Sequence, residues 1–559
     1  MKSILLKTGL LTCLLFLGLS YESASAEIAW PAKCTSFGEV KPNQNPVPQH
    51  INCLLTNAAL AAKIPPEVVK AIAAQESDWR QFTAGGQPFI SDDNGIGIMQ
   101  ITNQSNPDIQ KKLKDDIYYN IQTGVEILSG MYQRSDLPKI KGMGPEVIEN
   151  WYFPVLAYNG TKPVNSPLVQ SDGLKNTKAY QEKVFARIQQ DSYLGDTKLG
   201  QFPFTTGDFY YDPNKKDNIV FRKLAYTLTN QMHTSTHLYH KGDKVTVTFE
   251  GVTLRAQPSS TSSSLKKLAK ATPLIVDGDF KFDQSVSSVN KFVWVPVKTS
   301  DQKLTGYISS AYISKKLDAP IVSLVDDNDR SLSGKTASNV RIQIMNGTKL
   351  IGSTVSDSNG NFKAIIPMQK AGTQLTVAYK DKLNALSSSA RMIVIDKTAP
   401  NLPTVNNVSN KAGTLTGKTE AYATVTVVIA GKKYSGKADK YGNYKVTIPV
   451  QNAGAKLSVT AKDSKGNVSK AGIVSVIKVA PNQPTVNKVR YTTTTVTGKT
   501  EKNATVTVKI GTKKYTAKAN ASGNYKVKIP KQKAGKKLYV YAKDSKGRVS
   551  ATRTVTVSK

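Results

Sequence analysis

The sequence predicts a multidomain protein in which a mainly α-helical region is followed by a long all-β array. Three observations carry this prediction. Apolar residues recur at helical spacing from about Asn52 to Ser192, as at Ile117, Ile121, Val125 and Leu128. From Lys241 onward the pattern changes to alternation, as in Lys244-Val245-Thr246-Val247-Thr248. The last part of the chain repeats itself. Gly334-Lys335-Thr336 returns as Gly417-Lys418-Thr419 and Gly498-Lys499-Thr500, a period of roughly 80 residues. At 559 residues the chain is also too long for a single core.

The N-terminus reads as a targeting segment. Lys2 and Lys7 supply positive charge, Leu10 to Leu19 form an apolar run, and Ala24-Ser25-Ala26 is a small-residue cleavage site. Residues 1–26 are therefore expected to be a secretory signal peptide, too short for a stable membrane anchor, and no later segment is apolar enough to span a bilayer. Cys13 lies inside the apolar run, a poor context for lipid attachment. An N-terminal arm over 27–51 follows. Cys34 and Cys53 are the cysteines left after cleavage, and in an exported protein they could close a disulfide between the arm and the first helix. Two free thiols are the alternative.

Within 52–192, Val68, Val69, Ile72 and Ala73 share a helix face, and Asp115 and Asp116 favour the start of a second helix. Val155, Leu156 and the Tyr180–Ile188 stretch indicate further helices. Glu76 stands at the end of the first apolar run. A glycine-studded hairpin, Gly95-Ile96-Gly97-Ile98-Met99-Gln100-Ile101-Thr102, comes after it. A carboxyl group in a partly apolar cleft has a raised pKa, and can then donate a proton to a leaving oxygen.

Residues 193–240 lose periodicity and gain Pro, Gly, Asn and aromatics. They are expected to be a linker with a helix near Ile219–Met232. His233, His237 and His240 lie here with no flanking carboxylate or cysteine, so an exposed polar segment is favoured over a metal site. No metal and no cofactor is expected anywhere. Asp326-Asp327-Asn328-Asp329 and Asp357-Ser358-Asn359-Gly360 are read as turn chemistry rather than calcium loops.

The segment 241–317 contains Leu254-Arg255-x-x-Pro258, Trp294-Val295-x-Val297 and Gly306-Tyr307-Ile308-Ser309-Ser310-x-Tyr312-Ile313. This order resembles the bacterial SH3-like domain, a small barrel, and the resemblance implies binding of wall peptide or glycan, with a spacer barrel as the alternative. The three repeats, 318–397, 398–479 and 480–559, share Gly-Asn-aromatic and Ala-Gly signatures and alternate Val, Thr and Lys, as in Thr505-Val506-Thr507-Val508-Lys509. They look like bacterial immunoglobulin-like β-sandwiches. The net charge is +36, and from Asn401 to Lys559 there are 31 Lys and Arg against 5 Asp and Glu. A basic exported tail implies an anionic partner, such as the teichoic acids of a Gram-positive wall. Nucleic acid is the less favoured partner, because no motif of that class is present. Lysine on edges and outer faces also keeps β arrays soluble, but mixed charge would serve that purpose equally well.

The helical domain resembles the soluble lytic transglycosylase domain of the lysozyme-like superfamily. The resemblance rests on ordered elements over most of 52–192: Ile64-Pro65-Pro66, Ala74-Gln75-Glu76-Ser77, Gly95-Ile96-Gly97-Ile98-Met99-Gln100-Ile101, Asn120-Ile121-x-x-Gly124 with Leu128, Ala157-Tyr158-Asn159-Gly160, and finally Tyr180 and Val184. It implies that peptidoglycan glycan strands are the substrate. Glu76 is the implied catalytic acid at the β-1,4 bond between N-acetylmuramic acid and N-acetylglucosamine, and Tyr158 would orient it or the substrate. Ser77, Met99, Gln100, Asn120 and Asn159 are the implied substrate-binding residues. The product would be a 1,6-anhydromuramyl end.

One departure from the family pattern is the interval Ser91-Asp92-Asp93-Asn94-Gly95. Asp92 or Asp93 could serve as a second carboxylate and position water for a muramidase reaction, given a carboxyl separation of about 6.5–9.5 Å. A solvated turn is the favoured explanation for both. An alternative of another class is a wall-binding or adhesin protein with a silent helical domain. The expected location is the cell wall or surface.

Overall fold

A computed structural model describes residues 29–102, 104–191 and 198–559. The stretch read as a signal peptide, residues 1–26, lies outside the described residues. The chain divides into two compact units. One holds residues up to 323 with 333–365 and 376–391, and the other holds 324–332, 366–375 and 392–559.

In the first unit a 3-10 segment, Trp30–Phe37, leads into α1, Pro48–Ala61. The helix thus begins before the boundary drawn at Asn52, because Pro48 fits a first helical turn whose N–H groups have no partner anyway. Cys34 and Cys53 form a disulfide with a Cα–Cα distance of 5.8 Å, fastening the arm to α1. Helix α2, Pro66–Ser77, starts on Pro65-Pro66 and carries Glu67 in its first turn. Helix α3, Pro107–Asp115, is capped by Asn106, whose side chain accepts from the Asp108 and Ile109 amides. Helix α4, Ile117–Gln133, is capped by Asp116 alone, while Asp115 ends α3 and pairs with Lys111. Helices α5, Tyr152–Tyr158, and α6, Tyr180–Gln190, complete the set.

The expected linker is instead packed structure over its described part, 198–240. Short strands β1, Lys139–Ile140, and β4, Ala225–Tyr226, pair in parallel, and β2, Phe209–Tyr210, pairs with β3, Val220–Phe221. The expected helix at 219–232 is absent there. Leu199, Phe209, Ile219, Phe221, Tyr226, Leu228 and Met232 are buried in the core of the helical domain. The physical reason is aromatic: Phe202 and Phe204 stack on each other and both pack on Tyr152 and Phe153. Such contacts leave no periodic trace in a sequence.

His233 and His237 are buried rather than exposed. The His233 Nδ1 lies 2.7 Å from Glu149 Oε1, and Glu149 also accepts from the Gly200 and His233 amides. His237 lies between Glu67 and Lys70 of α2, with Nδ1 3.2 Å from Glu67 Oε1 and Nε2 3.1 Å from Lys70 Nζ. Each partner is distant in sequence, which is why no flanking carboxylate was visible.

An antiparallel sheet follows, formed by β5 Lys244–Val247, β6 Val252–Arg255, β7 Ser264–Leu268, β8 Pro273–Val276, β9 Trp294–Thr299, β10 Thr305–Ser309 and β11 Ile313–Lys315. Its strand order is β11-β5-β8-β9-β10-β6-β7. Alternating Val245, Val247, Leu254, Leu274, Val276, Val295, Val297, Ile308 and Ile313 fill its core.

The first repeat contributes β12 Ile321–Val322, β13 Ser331–Lys335, β14 Arg341–Asn346, β15 Lys349–Val355, β16 Asn361–Ile365, β17 Gln374–Lys380 and β18 Ala390–Ile393. The second has β19 Thr404–Val405, β20 Thr414–Lys418, β21 Thr424–Ile429, β22 Lys432–Lys437, β23 Asn443–Thr447, β24 Lys456–Lys462 and β25 Gly472–Ser475. The third has β26 Thr495–Lys499, β27 Thr505–Ile510, β28 Lys513–Lys518, β29 Asn524–Lys528, β30 Lys537–Lys543 and β31 Arg553–Thr556. In the second repeat the order β22-β21-β24-β25 faces β19-β20-β23, and Leu415, Val425, Val427, Val446, Leu457 and Val459 fill the space between. The third repeat copies it with β28-β27-β30-β31 and β26-β29.

The recurrent Gly-Asn turn needs its glycine. At Gly442, φ is +80° and an added Cβ would sit 2.1 Å from the Thr419 carbonyl. Asp357, once a calcium candidate, accepts from the Asn359 and Asn361 amides in the corresponding turn of the first repeat.

Candidate active site

Helix α2 ends abruptly, with Asp78 and Trp79 both in left-handed conformation at φ 52° and 62°. Two such residues that are not glycine cost about 1 kcal/mol or more each. Their amides cap the Ala74 and Ala73 carbonyls, and the Trp79 indole donates to Lys70 O at 2.9 Å. Glu76 is thereby held in the last turn, half-buried, beside the start of α6.

The Tyr180 hydroxyl donates to Glu76 Oε1. Burial raises the Glu76 carboxyl to about 7, opposed by the Tyr180 hydrogen bond and assisted by the negative charge of Asp93. The Tyr158 and Tyr180 phenols are both pushed well above their usual range, by burial first and then by the Glu76 charge. Both therefore remain hydrogen-bond donors at any working pH. The Tyr158 donor is spent on the Met99 carbonyl at 2.7 Å, so Tyr158 lies close to Glu76 but binds the hairpin.

Several residues expected to contact substrate instead hold the hairpin. The Ser77 hydroxyl is buried and donates to Ile98 O at 2.9 Å. Asn120 is fully buried: its Oδ1 accepts from the Met99 amide at 3.0 Å, and its Nδ2 donates to Ile96 O and Leu113 O. The Met99 side chain was expected to line the cleft, yet it is 0 % exposed and packs on Gly124 of α4, where an added Cβ would meet it at 2.7 Å. The reason in each case is that the hairpin backbone has few ladder partners of its own, so buried side chains satisfy it. Gly97, at φ 71°, lies so close to Asn120 Nδ2 and Gln81 Oε1 that a Cβ would stand 2.4 Å from each.

Gln100 is partly exposed with its Nε2 on Gly97 O at 2.7 Å, and Asn159 is exposed, its Oδ1 accepting from Asn165. These two expected residues retain surface to offer a ligand. Asp92 and Asp93 are both exposed, Asp93 accepts from the Ser91 hydroxyl, and Asp93 rather than Asp92 is the one whose charge acts on Glu76.

Three positioning residues escaped the sequence reading. Tyr180 was noted only as closing the motif. Gln81 accepts from the Ile98 amide and donates to Leu113 O and Lys114 O, joining the hairpin to α3. Asn165 accepts from the Tyr180 amide at 3.1 Å and donates to Gly160 O, which sets where α6 begins. Their bonds cross loops without periodicity, from 5 residues for Asn165–Gly160 to 104 for Tyr180–Glu76, so no local pattern marks them.

This geometry accompanies clear family matches. Residues 54–180 match the transglycosylase SLT domain, and residues 318–396, 399–477 and 480–559 each match the bacterial Ig domain. The chain thus carries a lysozyme-like SLT domain followed by three bacterial Ig-like repeats. A cell wall-associated protease of Bacillus subtilis (strain 168) is 40% identical over 141 residues, which is 24% of this chain. The match spans only 16% of that relative's length. Among solved structures, a Ca2+-stabilised adhesin by which an Antarctic bacterium binds ice has a TM-score of 0.17 at 15% identity, covering 59% of this chain and 92% of that one. A biofilm-associated protein BSP domain scores 0.16 at 11% identity over 59% and 92%. Neither bears on the function of this chain.

Proposed function

We propose that this protein is an exported lytic transglycosylase that cleaves the β-1,4 bond between N-acetylmuramic acid and N-acetylglucosamine in peptidoglycan. The observation that carries the reading is Glu76, a half-buried carboxyl raised to about 7 at the end of α2 within the SLT match. Such a group is protonated over much of the working range, as a general acid must be.

In this mechanism protonated Glu76 gives its proton to the bridging oxygen, and the bond from that oxygen to muramyl C1 breaks. The resulting carboxylate takes the proton of the muramyl 6-hydroxyl, whose oxygen bonds to C1 and closes a 1,6-anhydro ring. Glu76 ends protonated, so the cycle balances without water or a second carboxylate. Tyr180 holds the carboxylate oxygen through the cycle. Tyr158 fixes the hairpin through Met99 O, leaving Gln100 and Asn159 to meet the sugars.

The seven-stranded sheet of 244–315 is read as an SH3-like wall-binding barrel, supported by its strand order and valine-rich core. The basic repeats would hold the enzyme on anionic wall polymers such as teichoic acid. A second reading is supported by Asp93, whose charge reaches Glu76: a muramidase in which Asp93 positions water. The test of the general-acid role is Glu76→Gln assayed on purified wall. Loss of lysis by about a thousandfold or more is expected, and substantial residual lysis would overturn the assignment.

A further inference from the structure

The outer face of the four-stranded sheet differs among the three repeats in a way that the net charge does not reveal. Strand register assigns each side chain to a face. In the third repeat the core side takes Val506, Val508, Leu538 and Val540, so Lys509, Lys514, Lys518, Lys537 and Lys543 share the outer face with Tyr539 and Tyr541. In the second repeat the same face carries Lys433, Lys437, Lys456 and Lys462. In the first repeat the same face carries three cations, Arg341, Lys380 and Arg391, fewer than in either of the other two.

The arrangement is costly in isolation. Lys509 and Lys514 are direct cross-strand partners, and Thr505 lies in one row between Lys518 and Lys543. Thr424 lies likewise between Lys437 and Lys462. Like charges set opposite each other destabilise a sheet. No Asp or Glu occurs in β21, β22, β24, β25, β27, β28, β30 or β31, and among the described residues these nine lysines form no ion pair. Solubility alone would be met by mixed charge. The opposite sheet is less basic, presenting Lys418 and Lys445 in the second repeat and Lys499, Lys526 and Lys528 in the third.

We infer that the outer face of the four-stranded sheet in the second and third repeats is a docking surface for a linear phosphodiester polyanion of the polyol-phosphate type. This rests on the proposed wall attachment and adds which modules and which face carry it. Charge complementarity selects a polyanion. Threonine and serine hydroxyls between the lysines, at Thr424, Ser435, Thr505 and Thr516, suit a hydroxylated backbone. The second repeat's face has no tyrosine, so that half of the surface lacks the stacking platforms that single-stranded nucleic acid uses, while the third repeat's face offers Tyr539 and Tyr541 alone.

The test uses the full chain and a purified poly(glycerol phosphate) probe, with matched single-stranded DNA beside it. The face variant replaces Lys509, Lys514, Lys518 and Lys543 by Gln, and the control variant replaces Lys499, Lys526 and Lys528 by Gln. All seven residues are exposed, and unchanged thermal melts establish that both variants fold. The face variant is expected to lose affinity about tenfold or more, with a salt dependence shallower by about 3 in the log–log slope, while the control changes less than about threefold. Equal losses in both variants would overturn the face assignment while leaving wall attachment by net charge intact. Failure of the unaltered protein to bind the probe would overturn the attachment as well. Tighter binding of DNA would overturn the choice of occupant.

Discussion

The first residue of α6, Tyr180, hydrogen-bonds the catalytic candidate in the last turn of α2, donating its hydroxyl to Glu76 Oε1. Two opposed influences therefore set the carboxyl. Burial lifts it to about 7, and Tyr180 restrains the rise by favouring the charged form. The general acid must be protonated, so wall lysis is expected to fall as pH rises through about 7. Tyr180→Phe removes the restraint. Its alkaline limb should move upward by about 1 pH unit, measured as kcat/KM against pH on soluble glycan chains, and a limb that stays in place would count against this coupling.

The same burial carries a stability signature. A carboxyl whose folded pKa is raised binds its proton more tightly in the folded state, so stability declines as pH rises from the unfolded value of 4.5 through about 7. Glu76→Gln keeps an acceptor for Tyr180 and removes the buried charge. We expect it to be more stable than the unaltered enzyme by about 1–3 kcal/mol at pH 8 and indistinguishable at pH 4, as read from denaturant midpoints. Equal stability at both pH values would indicate a Glu76 with no raised pKa.

Asp93 distinguishes the two chemistries. If its only effect is to raise Glu76 by charge, Asp93→Asn should shift the alkaline limb down by about 0.3 pH unit and leave the rate at pH 5 within about threefold. An Asp93 that positions water would instead cost about a hundredfold or more at every pH.

The Glu67–His237–Lys70 cluster fastens the segment after 230 to α2. Burial opposes charge on Glu67, yet His237 and Lys70 with the Ser235 and Thr236 hydrogen bonds hold its carboxyl below the ordinary range. That contribution is fully present above 4.5 and is lost as pH falls through the folded value. His237→Ala removes one partner of Glu67 and one of Lys70, leaving Glu67 with Ser235 and Thr236 and Lys70 with the Lys291 carbonyl, and should cost about 1–3 kcal/mol in a thermal or denaturant melt. A change below about 1 kcal/mol would show that the cluster contributes little.

The balance of what the sequence revealed follows from range. Helix α2 was legible because Pro65-Pro66 and the Val68, Val69, Ile72, Ala73 face are local signals, and Glu76 was legible because it ends that run. The Ig-like strands were legible from alternation and from turns that repeat. Tyr180 was not, since its role depends on Asn165, 15 residues back, accepting from its amide and on its bond to Glu76 on α2, 104 residues away. The 198–240 segment was misread for the same reason: Phe202, Phe204 and Tyr226 find their partners on α5, and His233 and His237 find theirs on Glu149 and Glu67. Met99 and Asn120 stood in a functional motif because the hairpin needs them, a role that a motif alone does not separate from substrate contact.

The most direct test is mass spectrometry of peptidoglycan fragments released by the full chain in water enriched in heavy oxygen. Ring closure by the muramyl 6-hydroxyl consumes no water, so the account predicts unlabelled fragments ending in 1,6-anhydromuramic acid, absent with Glu76→Gln. Reducing ends that carry one heavy oxygen would contradict it and assign the bond cleavage to hydrolysis.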